Sequence, residues 1–168
     1  MSYTLFKLEM LSKLVPPHTS PTKQSSTIAN AYDNLVNRHF EVLTGAGSVT
    51  ASSARIPLIQ TGLQGIFELN RRAGFNKVNI WDMMAPFIYA YWSGMVGNGP
   101  MGMFTVTFPG VFKGPVIPEG TNFETWLNIF CAVAYSHILT LAGIAILNIG
   151  PFPITVPWSG VLLIACPL

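Results

Sequence analysis

TNFETWLNIFCAVAYSHILTLAGIAILN, residues Thr121 to Asn148, is the stretch whose reading decides the fold. It opens on a capping box, Thr121 with Glu124 three residues later, in which each side chain satisfies a free backbone donor at a helix start. Apolar residues follow almost without interruption, so the helix is expected to run to about Asn148. Gly150, Pro151 and Pro153 then stop it. From Thr125 to Leu168 there is no Asp, Glu, Lys or Arg. A stretch of that kind needs lipid or other protein around it, because the surface of a soluble monomer is about a quarter charged.

Within the expected helix, Thr125, Asn128, Ala132, Ser136, Thr140 and Gly143 fall on one narrow sector. Small and hydroxyl side chains there predict a packing stripe on which another backbone can approach closely. A helix from Thr125 to Ile149 would reach across a bilayer, which takes about 20 apolar residues. Against lipid stand Asn128, His137 and Asn148, and the lack of any following Lys or Arg to anchor the span.

Working outward, a second block without charge lies between Asp82 and Lys113. Gly97 to Pro100 and Pro109-Gly110 interrupt it with irregular backbone that lipid would leave unsatisfied. Met103 to Phe108 alternates Thr105 and Thr107 against Phe104, Val106 and Phe108, which predicts a strand. Gly97 to Gly102 matches the letters G-x-G-x-x-G, but it follows a helical pattern and contains Pro100. It is read as a loop and not as a phosphate cradle.

Upstream, Ile28, Ala31, Tyr32, Leu35, Val36, Phe40 and Leu43 recur at three- and four-residue steps. They predict an amphipathic helix from about Pro21 to Thr44, with Ser20 as its cap and Gly45 as its stop. Gly45 to Ala54 is read as a loop. A second helix is expected from Pro57 to Ala73, with Arg71 and Arg72 complementing its C-terminal dipole. A third runs from Asn79 to about Met95, with Asp82 in its first turn and a late start or a kink at Pro86. Val111 to Gly120 and the tail from Phe152 are expected to be extended, including the apolar Trp158 to Cys166.

The fold class expected is therefore mainly α, about four helices with a short β element and Pro/Gly-rich irregular segments. Residues 1–20 form an N-terminal arm and linker, 21–150 a helical domain, and 151–168 an apolar extended tail. In the arm, Tyr3, Phe6, Met10 and Leu14 make one stripe, suited to a partner or to the chain's own domain. Lys7, Glu9 and Lys13 break the apolar run that a secretory signal requires.

The 168 residues are 50% hydrophobic and 10% charged, with a net charge of +2. Arg71-Arg72 is the one adjacent basic pair, so a phosphate-binding stripe is missing and nucleic acid is not an expected partner. Cys131 and Cys166 sit in apolar sequence, where a thiol behaves as a small hydrophobe. His18, His39 and His137 are remote from one another and from Cys, Asp or Glu at ligand spacing. The seven carboxylates suggest caps and surface, and no nucleophile elbow, zinc-protease helix or phosphate loop occurs. Neither catalysis, a cofactor nor a metal is expected.

Tyr89-Ala90-Tyr91-Trp92-Ser93-Gly94, Thr105-Val106-Thr107-Phe108-Pro109-Gly110, and Phe123 to Gly143 with its Ala134, His137 and Gly143 together resemble small virion structural proteins of tailed bacteriophages. The resemblance spans roughly Ser25 to Gly143. It implies a non-enzymatic subunit of the particle, in tail, baseplate or neck, that acts by contact with other structural proteins or copies of itself. A small integral membrane protein with a span near 125–149 is the alternative. Aromatic and apolar anchors expected at partner contacts are Phe6, Met10, Tyr89, Tyr91, Trp92 and Trp158, each of which would serve equally as intramolecular core.

Overall fold

The computed structural model describes residues 2–44, 55–73, 80–99, 102–148 and 151–159. Among them lie five helices: α1 (Ser2–Leu14), α2 (Pro21–Thr44), α3 (Ile56–Ala73), α4 (Ile80–Trp92) and α5 (Phe123–Leu139). Four strands, β1 (Val96–Gly99), β2 (Gly102–Phe108), β3 (Ala142–Leu147) and β4 (Ile154–Ser159), form one antiparallel sheet in the order β1-β2-β3-β4. The mainly α class therefore holds, with a larger β part than the sequence suggested.

The helix from Pro21 to Thr44 has the expected bounds. Ser20 caps it, its hydroxyl accepting from Lys23 N at 3.4 Å, and Ile28, Ala31, Tyr32, Leu35 and Val36 on its apolar stripe are buried. α2 packs against α1 and α3, α3 against α4, and α1 against α5. The arm is thus part of the body, because Phe6, Met10 and Leu14 at helical spacing are wholly buried. Arg55, just before α3, donates to the backbone carbonyls of Tyr91 and Ser93 at the end of α4. A cation there satisfies acceptors that the last helical turn leaves free.

Three local expectations need correction. The long helix stops at Leu139, and residues read as its last turns form β3. Thr140 ends it: its hydroxyl turns back to donate to the His137 carbonyl at 2.7 Å and accepts from Val111 N at 2.8 Å. Gly97 to Gly99, read as loop, belongs to β1, which pairs antiparallel with β2 and sets Gly99 opposite Gly102. The α5 cap is Asn122, whose side-chain oxygen accepts from Thr125 N at 2.8 Å, while Thr121 donates instead to the Pro118 carbonyl. α4 continues through Pro86. The expectations for Asn79, for Gly45 to Ala54 and for 160–168 lie outside the described residues, as do the side chains of His39, Arg71 and Arg72.

The sheet lays one face on the helices. Phe104, Val106, Ala145 and Trp158 point inward and join the helical residues in one core. The rings of Phe104 and Trp158 meet edge to face at 5.4 Å. Among the described residues nothing covers the other face.

Candidate functional site

Along β3 the buried and exposed positions alternate: Gly143 and Ala145 face the core, and Ile144 and Ile146 face out. The register extends this alternation across the sheet. Ile146 stands beside Met103 of β2 and Thr155 of β4, and Ile144 beside Thr105 and Pro157. Met103 is 36%, Phe108 47%, Ile144 44% and Ile146 38% exposed. None of the four strands contains an Asp, Glu, Lys or Arg. Where an antiparallel sheet packs one face on a core, the residues on its solvated face are ordinarily polar. This one offers apolar side chains interleaved with Thr and Pro, a composition that matches the charge depletion of interface cores.

Two residues hold the face flat against the body. A side chain at Gly143 would run into the Thr105 carbonyl, so only glycine lets β3 lie this close. Across the same point the Trp158 indole donates to the Thr105 carbonyl at 3.2 Å. Gly110, with φ of +76°, makes the turn after β2, and a side chain there would strike Thr140 Oγ1 and His137 Nε2. That turn brings the Pro109 carbonyl within 2.7 Å of His137 Nε2. A carbonyl only accepts, so Nε2 carries the proton and Nδ1 is left as a bare, buried lone pair.

His137 is 1% exposed and is surrounded by the rings of Tyr89, Trp92 and Phe112, at 6.3, 6.3 and 5.5 Å. Burial drives its pKa down to about 4, against the opposing pull of the Pro109 hydrogen bond. The imidazole is accordingly neutral at physiological pH. It locks the end of α5 to the turn below β2. Behind it, Tyr91 Oη donates to Asp33 Oδ1 at 2.7 Å and Trp92 Nε1 donates to Tyr32 Oη at 2.8 Å. Asn37 donates to the second carboxylate oxygen at 3.2 Å, so the buried Asp33 is well supplied with donors.

The structure divides the anchors expected at partner contacts. Phe6, Met10, Tyr91 and Trp92 are entirely buried in the chain's own core, and Trp158 is 5% exposed on the inner sheet face. Tyr89 is half-buried, and its hydroxyl accepts from Phe112 N. These side chains serve the intramolecular core, because their hydrogen bonds and rings are already engaged there. Of the expected packing stripe, Thr125, Ala132, Ser136 and Thr140 are exposed and Asn128 is half-buried, and the Val111 amide lies on Thr140. Gly143 leaves the stripe, because it belongs to β3.

Of the residues that form the face, the sequence marks Met103 and Phe108 only as strand ends, with Phe108 on the side of Phe104 and Val106 until a register shift after Val106 turns it out, and it does not mark Ile144 and Ile146. Their signal is the Gly-Ile-Ala-Ile alternation, masked by its fusion to an apolar helix. Cys131 is a buried free thiol, and burial pushes its pKa up to about 12. No three of His, Cys, Asp and Glu come together among the described residues in a way that could hold a metal ion. Among the same residues no helix is long and apolar enough to cross a membrane.

Comparison with protein families, with curated proteins and with solved structures finds no match. The functional reading rests on the face itself.

Proposed function

We propose that the chain is a non-enzymatic structural subunit of a large assembly, a tailed-phage virion component of tail, baseplate or neck, that works by protein-protein contact. The observation that carries this reading is the charge-free outer face of the sheet. Apolar patches of this kind on a folded chain mark places where another protein removes them from water. Met103, Phe108, Ile144 and Ile146 are the anchors, and Thr105 and Thr155 supply hydrogen bonds without the desolvation cost of a charge. The partner is a structural protein of the particle or a second copy of the chain, with a matching apolar surface.

The experiment is sedimentation of the purified chain, alone and with the particle's other structural proteins, with Ile144→Lys and Ile146→Lys in parallel. Wild type is expected to associate, and each lysine to release folded monomer, because the substituted side chains are already exposed and burying a charge in the contact is unfavourable. A wild-type monomer that neither self-associates nor joins the particle proteins contradicts the proposal. So does recovery only in detergent from salt-washed membranes, which would favour the membrane alternative.

A further inference from the structure

A cavity of about 360 Å³ lies away from the sheet face, between the start of α2, the end of α3 and the first turn of α5. That size lies within the range of small-molecule sites. One wall is aromatic: Phe67 meets Trp126 edge to face at 5.7 Å, and Phe123 stacks on Trp126 at 5.6 Å with 24° between the planes. The linker 17–21 forms the lip, where His18 Nε2 lies 3.4 Å from Thr27 Oγ1. Among the described residues the lining contains no Asp, Glu, Lys or Arg.

Gln24 makes this cavity more than a packing gap. It is 7% exposed, and it lines the cavity from the first turn of α2. Its backbone N donates to the Ser20 carbonyl at 3.0 Å. Its side-chain amide makes no hydrogen bond to another described residue and is not among the fully buried polar groups, so it is left to face the cavity. Asn70, on α3, adds a second amide to the same wall. A carboxamide facing a cavity beside a ring stack presents a donor next to an acceptor, in the environment where a flat ring binds best.

We propose that this cavity is a binding site for a small, uncharged, planar ring compound bearing a carboxamide or lactam edge. The ring stacks among Phe67, Phe123 and Trp126, and the edge pairs with the Gln24 amide. A carboxylate in place of the amide is disfavoured, because among the described residues the wall offers no Lys or Arg to pair with it and a bare charge there loses its hydration. The site is independent of the outer sheet face.

The matched probes are benzamide and benzoate, titrated into the full chain labelled with ¹⁵N. Benzamide is expected to shift the Gln24 side-chain amide pair and the Trp126 indole N–H together, while benzoate leaves both in place. Gln24→Leu, which keeps the packing and removes the polar edge, is expected to weaken benzamide binding about tenfold. Unmoved resonances with benzamide overturn the proposal, as do equal shifts with both probes, or undiminished binding to folded Gln24→Leu. The titration of the wild-type chain decides the matter even where that variant does not fold.

Discussion

His137 is buried neutral, and that choice has a pH signature. In the unfolded chain an imidazole takes a proton near its ordinary value of 6.5, whereas the folded chain refuses it until about 4. As pH falls through that window the unfolded state binds the extra proton, so stability is lost on acidification, by about 3 kcal/mol from this group. Urea unfolding followed at successive pH values should show this loss. His137→Gln, which keeps a donor for the Pro109 carbonyl but cannot titrate, is expected to flatten it; an unchanged slope would mean that other groups dominate. Gly143 is the second residue on which much depends. Gly143→Ala drives a methyl into the Thr105 carbonyl and displaces the Trp158 indole. A loss of about 3 kcal/mol in chemical denaturation is expected, at the upper end for inserting one carbon into a packed site. Gly143 has a helical neighbourhood in the sequence, and only the register of β3 shows why no side chain is tolerated.

At the scale of the element, the start and the end of α5 were unequally legible. The start was visible because Thr121 to Glu124 carries cap-forming residues in succession. The choice of capping residue was not, since Thr121 and Asn122 are both good caps and their difference lies in whether the Pro118 carbonyl is within reach. Asn122→Ala should therefore cost about 1 kcal/mol, while Thr121→Ala, which is outside the cap, should stay within about 0.5. Equal losses in thermal unfolding would restore Thr121 to the cap. The end was illegible, because a short apolar run suits a buried helix or a strand equally well. What resolves it is β2: its open edge supplies the partners that β3 needs, and Thr140 closes the helix by taking the Val111 amide.

For the whole molecule, the N-terminal segment is structure and not appendage. Cys131 of α5 is fully buried and lies close enough to Tyr3 and Lys7 of α1 to interact with them electrostatically. In a Cys166→Ser background, Cys131 should resist alkylation in native buffer, because the thiolate is disfavoured by burial. Phe6→Asp, which puts a carboxylate into the same core, is expected to loosen α1 and make the thiol reactive. Rapid alkylation of the unaltered chain would show instead that α1 does not cover α5. The same core explains why Phe6, Met10, Tyr91 and Trp92 could not be assigned from sequence: an aromatic stripe looks alike whether its cover is the chain itself or a partner.

Composition and periodicity alone determined that this chain is mainly helical, that α2 spans Pro21 to Thr44, and that much of its surface is short of charge. These properties are local or additive, so spacing and counting expose them. Tertiary structure alone decided where the charge-poor residues go. The aromatic anchors turn inward, and Met103, Phe108, Ile144 and Ile146 turn out, because strand pairing sets the side-chain direction and one residue of register exchanges the two faces.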